Sequence, residues 1–219
     1  MISNISLKNV LPRVFAGSER ELPVKDSQVW LRELDFTAPN SYLIEAESGT
    51  GKSSLCSYIY GNRHDYSGEI LFDGENIRTF SISQWCELRT RAIALLPQEM
   101  RLFPELTVKE NILIKNRLTD FKTGSEILEM LRRLEISEKT NQLVSRLSVG
   151  QQQRVAIVRA LCQPFDFLIL DEPVSHLDER NNTIVSSLIA DEVKSQSASI
   201  IATSVGNKIS LPFSIQISL

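Results

Sequence analysis

The amino-acid sequence predicts an α/β fold in which a mainly helical region interrupts strand-rich parts of the chain. Short apolar or alternating runs, typical of strands, dominate residues 1–80 and 165–219, whereas residues 81–164 show mostly helical spacing. A chain of 219 residues suits one domain with a buried core. We therefore expect a single domain, 1–219, with a core of about 1–80 and 165–219 and an inserted helical subdomain of about 81–164.

The N-terminal part predicts several strands separated by turns. Residues 2–10 and 29–36 alternate apolar and polar side chains, which is typical of half-exposed strands. Residues 42–46 predict a short buried strand, and residues 68–73 predict another. Charge, glycine and proline indicate a loop at 17–26, and turns are predicted at Pro39-Asn40 and at Gly74-Glu75-Asn76.

A glycine-rich turn joins the buried strand 42–46 to a predicted helix, 54–60. Turns of this kind point backbone N–H groups and a helix N-terminus at a polyphosphate. The glycines of such a turn let the backbone approach the phosphates closely and adopt positive φ. The lysine reaches the β and γ phosphates, and the hydroxyl of the residue after it holds Mg2+. The usual first glycine is replaced by alanine, a small steric change. The residues of the turn are Ala46, Glu47, Ser48, Gly49, Thr50, Gly51, Lys52, Ser53 and Ser54.

The middle of the chain predicts helices around one further strand. Residues 92–96 form a short apolar run that ends in Pro97-Gln98-Glu99, and Thr107 can cap a helix at 108–115. The stripe of Ile127, Leu128, Leu131 and Leu134 predicts a helix at 122–134 with an ordinary core face, and another helix is expected at 82–89. Beyond residue 178 we expect a helix at 179–194, a buried strand at 198–202 and a last strand within 212–219.

The stretch from Leu147 to Asp178 carries the second group of candidate site residues. A small polar turn, Leu147-Ser148-Val149-Gly150-Gln151, precedes a helical run, and an apolar strand at 165–170 ends abruptly in Asp171-Glu172-Pro173. Two carboxylates at the end of a buried strand are costly unless a metal or a reaction uses them. An isolated pair would be taken as solvated, but the phosphate-binding turn upstream predicts that both acids serve one site.

Composition excludes several classes of function. A formal net charge of −3 argues against a general surface for nucleic acid. Cys56, Cys86 and Cys162 lack metal-ligand spacing, which suits a reducing compartment in which thiols act as small apolar groups. No apolar run reaches the roughly 20 residues that a membrane span needs, and residues 1–15 lack a secretory signal pattern. We expect a cytoplasmic protein that meets a membrane only through a partner.

Taken together and in this order, the motifs resemble those of the ATP-binding cassette (ABC) ATPases. Gln98 matches the Q-loop glutamine, 147–151 the signature LSGGQ, Asp171 with Glu172 the Walker B strand and its acid, and 175–178 the D-loop. The resemblance implies a P-loop NTPase core, with a RecA-like sheet and helices, an N-terminal antiparallel β-subdomain and an inserted α-helical signature subdomain. Residues 102–112 look like the small cassettes for lipoprotein release, macrolide export and cell division.

The resemblance also implies an ATPase with ATP and Mg2+ as cofactors. The catalytic candidates are Glu172, Gln98 and Ser204, and the metal candidates are Ser53, Gln98 and Asp171. The signature turn begins a helix, so it forms an anion site, which in this family completes the ATP pocket of the opposite subunit. Phe15 is the candidate for stacking on adenine, with plain core as the alternative. The nucleotide candidates are Phe15, Glu47, Ser48, Gly49, Thr50, Gly51, Lys52, Ser53, Ser54, Gln98, Ser148, Gly150, Gln151 and Asp178.

One position departs from the family pattern in a way that concerns catalysis. The family places a switch histidine after Thr203, and this chain has Ser204, which cannot carry a positive charge near neutral pH. His64 and His176 lie elsewhere in the sequence. A catalytically weak ATP-binding switch or heterodimer partner is therefore the alternative to a fast ATPase.

The partners implied by the resemblance are a second copy or a related ATPase subunit and a transmembrane permease at the inner face of the cell membrane. A soluble cassette of translation or DNA repair fits less well, because about ninety residues between the turn and the signature leave no room for a long insertion. Simple P-loop kinases lack the signature. The transported substrate, its direction and the choice of homodimer or heterodimer stay open at this point.

Overall fold

Two β-sheets that differ in strand direction organise the fold, which a computed structural model describes for residues 1–219. Four strands form an antiparallel sheet in the order β2-β1-β4-β5, and five form a parallel sheet in the order β6-β7-β8-β3-β9. The strands are β1 Asn4–Pro12, β2 Glu33–Thr37, β3 Ser41–Glu45, β4 Tyr66–Phe72, β5 Glu75–Asn76, β6 Ile93–Leu96, β7 Phe167–Asp171, β8 Ser199–Ser204 and β9 Ile215–Ser218.

Six α-helices accompany the sheets, and four of them begin with a capping box. In each box a Ser or Thr hydroxyl accepts from the third backbone N–H, while a Gln or Glu side chain accepts from the cap N–H. None of the six combines the length and the apolar character that a membrane crossing requires. The helices are α1 Lys52–Ile59, α2 Ile82–Arg91, α3 Val108–Asn116, α4 Gly124–Arg133, α5 Val149–Leu161 and α6 Glu179–Gln196.

The interior strand β7 is buried on both faces, as expected for a parallel sheet covered by helices. Alternate residues enter two hydrophobic clusters: Leu168 and Leu170 join the one with α3, α4, α5 and α6, whereas Phe167 and Ile169 join the one with α1 and the antiparallel sheet. Ile127 and Leu131 of the predicted core stripe of α4 are both buried, in the same cluster as Leu168.

Some element boundaries differ from the sequence-based expectation. The strand predicted at 29–36 begins only at Glu33, because Leu31 adopts φ +57 and interrupts the extended chain. The turn predicted at 74–76 contains the two-residue strand β5. β6 falls inside the region 81–164 but pairs with β7, so it belongs to the core sheet, and the helical insertion begins after it. Local patterns could not show this, since the pairing is made with residues far along the chain.

Gly68 offers a test of the packing between β1 and β4. It has φ +79, and a Cβ there would lie 2.3 Å from the Asn9 carbonyl oxygen, where the β1–β4 register shifts. We expect Gly68→Ala to lower the free energy of unfolding by about 3 kcal/mol, the sum of strain and a backbone clash. Gly74→Ala is the control, because Gly74 has a similar φ of +87 but nothing within 4 Å. Equal urea midpoints for the two variants would contradict the clash.

Candidate functional site

The glycine-rich turn lies at the carboxyl edge of the parallel sheet, between β3 and α1. Gly49 and Gly51 have φ of +85 and +103, in the left-handed region that favours glycine. Gly51 is the N-cap residue of α1 and makes no side-chain cap, so the first N–H groups of the helix face the turn. The turn is therefore built to receive an anion at a helix N-terminus.

Two aromatic residues from earlier in the chain support the turn. The fully buried Trp30 donates its indole N–H to the Thr50 carbonyl oxygen at 3.0 Å. A Cβ built on Gly51 would lie 2.9 Å from the Trp30 ring and 3.3 Å from the Phe15 ring. Within the turn, the Thr50 hydroxyl donates to the Glu47 carbonyl oxygen at 2.9 Å. These contacts fix the backbone before any ligand binds.

Lys52 is folded back over the turn. Its Nζ donates to the carbonyl oxygens of Glu47 and Ala46 at 2.6 and 3.3 Å, and lies 3.9 Å from Glu172 Oε1. Burial lowers the pKa of Lys52, while the charges of Glu172 and Asp171 act in the opposite direction. The ammonium group is thus already desolvated and held next to the acids, where it can pair with a phosphate.

Glu172 is linked to the turn through a chain of side chains. The Gln98 amide donates from Nε2 to Glu172 Oε2 at 3.2 Å, and its Oε1 accepts from the Ser53 hydroxyl at 3.4 Å. Asp171 is buried at the end of β7, and its Oδ1 accepts from the Thr203 hydroxyl at 2.8 Å. The structure therefore brings together Lys52, Ser53 and Gln98 with both acids.

The oxygen donors at this place suit Mg2+, which is a hard cation that prefers carboxylate, hydroxyl and amide oxygens. Ser53, Gln98 and Asp171 supply one such oxygen each, and no group of three or more His, Cys, Asp or Glu side chains forms a complete cage. This donor set fits Mg2+ because that ion is usually held by one or two carboxylates together with substrate phosphates.

The signature turn lies at the start of α5. Ser148 caps the helix: its Oγ accepts from the Gln151 N–H at 3.3 Å, and its own N–H donates to Gln151 Oε1 at 3.0 Å. A Cβ on Gly150 would lie 3.1 Å from the His176 carbonyl oxygen, and Val149 is exposed. No hydrogen bond joins this turn to the glycine-rich turn of the same chain. Within one chain, therefore, no hydrogen bond links the two predicted anion sites.

The remaining candidates lie around these two turns. Phe15 ends a 3-10 helix, Arg13–Phe15, and is half-buried beside Gly51, so both its stacking and its core interpretation stay predictions. Asp178 caps α6, with its Oδ1 accepting from the Asn181 N–H at 2.8 Å. Ser204 ends β8, is buried and donates its hydroxyl to the Asn207 carbonyl oxygen at 3.0 Å.

Three residues that contact the site were not identified from the sequence. Trp30 was assigned to a strand, although it supports the turn through the Thr50 carbonyl. Thr203 and Gln153, both buried, hold the backbone of Glu172. For Thr203 the only available signal was its place beside Ser204, and for Gln153 it was a polar residue on an otherwise apolar helix face.

Comparisons with known proteins agree with this geometry. The family described as ABC transporter matches residues 33–175. The lipoprotein-releasing system ATP-binding protein LolD of Buchnera aphidicola subsp. Schizaphis graminum is 35% identical over 196 residues, which cover 86% of this chain and 82% of LolD. The macrolide export ATP-binding/permease protein MacB of Nitrosomonas europaea is 31% identical over 190 residues, covering 85% of this chain and 28% of MacB. The chain therefore spans most of LolD but less than a third of MacB.

Solved structures show the same fold. The bacterial ABC transporter cassette MJ0796, in its dimeric structure, has a TM-score of 0.76 at 23% identity, with 98% of this chain and 94% of that chain covered. A bacterial Atm1-family ABC exporter with ATP bound has a TM-score of 0.72 at 21% identity, with 93% of this chain and 35% of that chain covered. The predicted resemblance and the predicted α/β fold with its β-subdomain are both confirmed.

Gly51 provides a test of the turn as a nucleotide site. In Gly51→Ala, the left-handed φ and the Trp30 ring leave no unstrained place for the methyl group. When bound ATP holds the turn in this conformation, strain of about 1–3 kcal/mol weakens ATP binding by between about fivefold and about 150-fold, which isothermal titration calorimetry measures. Gly206→Ala, at φ +74 with nothing within 4 Å, is the control outside the turn. An unchanged Kd in Gly51→Ala would show that the turn does not hold the phosphates.

Proposed function

The chain belongs to the ABC transporter family, and we propose that it is an ATP-hydrolysing subunit that drives a membrane permease, in the manner of the group that includes LolD and MacB. The observation that carries this proposal is the hydrogen-bonded chain from Ser53 through Gln98 to Glu172, with Lys52 beside the same carboxylate. It joins a phosphate-binding turn to a base at the edge of one sheet.

Hydrolysis of ATP requires that water attack the γ-phosphorus while the bond to the oxygen of ADP breaks. Positioning and charge neutralisation dominate such a reaction. Glu172 is placed to accept a proton from the attacking water, and Gln98 is placed to orient that carboxylate. Lys52 and the N–H groups of the turn neutralise the phosphates. Ser53, Gln98 and Asp171 would hold Mg2+, which would supply positive charge to offset that of the phosphates.

A dimer is part of the proposal because one chain carries two separate anion sites. The first turn of α5 offers the Ser148 hydroxyl and the Gly150 N–H at a helix N-terminus, yet makes no bond to the glycine-rich turn. In the proposed dimer these groups, with Gln151, complete the ATP pocket of the other subunit, and Asp178 lies near the contact between subunits. MJ0796, whose fold this chain shares, is described in a dimeric structure.

A permease would be the second partner and would place the subunit at the inner face of a membrane. LolD is named for a lipoprotein-releasing system and MacB for macrolide export, so release or export is the direction proposed for this chain. In this proposal the permease selects the substrate. The second ATPase in the complex is either another copy or a related chain.

A slower function, that of an ATP-binding switch or heterodimer partner, is the second candidate. Its supporting observation is Ser204, whose neutral hydroxyl is already bonded to the Asn207 carbonyl oxygen. A histidine at this position could carry charge toward the γ-phosphate, which serine cannot. Binding of ATP would be preserved in either case, because residue 204 bonds the glycine-rich turn only through its backbone, where the Ser204 carbonyl oxygen accepts from the Ala46 N–H. Steady-state turnover by the purified protein separates the two candidates.

Glu172→Gln tests the role of the base. Losing the proton acceptor while keeping the shape is expected to lower ATPase activity at least about a hundredfold. With ATP and Mg2+, size-exclusion chromatography should show a stable dimer of this variant, since the dimer closes around ATP but does not hydrolyse it. Glu33→Gln, at an exposed acid of β2, is the control. Elution of Glu172→Gln only as a monomer would count against the proposed dimer.

Ser204→His tests whether the serine limits the rate. A cavity of about 550 Å³ that Ser204 lines gives room for an imidazole. If the missing charge is limiting, kcat rises by about tenfold or more, within the range of acid–base contributions. Ser204→Asn, which also introduces a larger polar side chain but cannot carry a positive charge, should not raise kcat. Equal turnover of Ser204→His and the unaltered protein would remove the basis for the weak-switch candidate.

A further inference from the structure

Glu172 has an unusual backbone for the residue that carries the proposed base. Its φ is +50, in the left-handed region, although it has a full side chain. A residue other than glycine held there costs about 1–3 kcal/mol and persists only where its surroundings hold it. The preceding residue, Asp171, is still part of strand β7, so the chain turns sharply between the two acids.

A threonine on the neighbouring strand holds the amide side of Glu172. The Glu172 N–H donates to Thr203 Oγ1 at 3.1 Å, and the same hydroxyl donates its proton to Asp171 Oδ1 at 2.8 Å. Thr203 is completely buried. Only a hydroxyl can accept one bond and donate the other from a single atom. The two acids are therefore tied to β8 through one oxygen.

A glutamine on the signature helix holds the carbonyl side of Glu172. Gln153 Nε2 donates to the Glu172 carbonyl oxygen at 3.4 Å, while Gln153 Oε1 accepts from the His176 N–H at 3.1 Å. Gln153 is 2% exposed, so neither bond competes with water. The amide suits this place because one of its ends donates and the other accepts.

We propose that Thr203 and Gln153 form a backbone clamp that holds Glu172 in its left-handed conformation and so positions its carboxylate for hydrolysis. Both are positioning residues, since they act through the peptide groups of Glu172. The inference rests on the proposed function of Glu172 as the base. Without the clamp, Glu172 would relax to an extended or right-handed backbone, and its carboxylate would leave Gln98 Nε2 and Lys52 Nζ, which now lie 3.2 and 3.9 Å away.

The decisive variant is Gln153→Met, which keeps the length of the side chain and loses both polar ends. Displacement of a reacting group by about 1 Å can cost about a hundredfold in rate, so we expect kcat to fall between about tenfold and a hundredfold. The KM for ATP should change by less than about threefold in Gln153→Met, because Gln153 bonds only the Glu172 carbonyl oxygen and the His176 N–H, neither of which is proposed to bind nucleotide. Gln163→Met is the matched control: Gln163 is also a buried glutamine, but its Nε2 donates to the Ile93 carbonyl oxygen and not to Glu172, so this variant should keep kcat.

Thr203 gives an independent pair of variants. Thr203→Val has the same shape without the hydroxyl and is expected to lower kcat at least as much as Gln153→Met, because it also releases Asp171. Thr203→Ser keeps the hydroxyl and should restore most of the activity. A kcat that is unchanged in Gln153→Met, or equal losses in Thr203→Ser and Thr203→Val, would overturn the clamp.

Hydrogen exchange tests the clamp without relying on turnover. In the protein without nucleotide, exchange of the amides in 171–176 should speed up in Gln153→Met and Thr203→Val, and stay slow in Gln163→Met. Unchanged exchange in both clamp variants would overturn the proposal even if the unaltered protein hydrolyses no ATP. A lack of turnover in the unaltered protein, with exchange changed as expected, would count against the proposed function and not against the clamp.

Discussion

The register of the parallel sheet is the constraint on which the site depends. β3 pairs with β8 so that Glu45 lies beside Ser204, and β7 pairs with β8 so that Asp171 lies beside Thr203. Because these strands run in one direction, the segments that leave them meet at one edge. A slip by one residue would turn every side chain of a strand to the other face and separate the Thr203 hydroxyl from the Asp171 carboxylate.

Burial of opposite charges is the second condition for this arrangement. The Lys52 side chain is 4% exposed and that of Glu172 is 16% exposed, with Asp171 buried nearby. Each of these ions would be costly to bury alone, and removal of one leaves the others uncompensated. The carbonyl oxygens of Ala46 and Glu47 accept the remaining Lys52 bonds, so the shape of the turn and the charge balance depend on each other.

The sequence predicted those parts of the site whose functional residues are neighbours in the chain. Gly49, Gly51 and Lys52 are close in the chain, and the acids directly follow an apolar run. Their convergence could be predicted because the carboxyl ends of parallel strands share an edge. The structure places Gln98 between Ser53 and Glu172, at bonding distance from both.

The supporting residues could not be predicted in the same way, because their partners are remote in sequence. Trp30 donates to the Thr50 carbonyl oxygen from a loop before β2. The alternation of apolar residues wrongly predicts a strand at this place. Gln153 bonds Glu172 from a different element, and a buried glutamine on a helix is compatible with many partners. The place of β6 in the parallel sheet could not be predicted for a related reason, since it depends on pairing with β7, which lies about seventy residues later in the chain.

The connection between α5 and the acids bears on how the proposed dimer would work. Gly150 at the start of α5 lies against the His176 carbonyl, with no room for a side chain to move between them. Three residues further on, Gln153 bonds both the His176 N–H and the Glu172 carbonyl. Direct contacts thus join the signature turn to Glu172. The turn is proposed to bind the nucleotide of the partner subunit, and Glu172 is proposed to act on the nucleotide of its own chain. In the proposed dimer, a shift of the first turn of α5 would act on the backbone of Glu172 through the Gln153 amide.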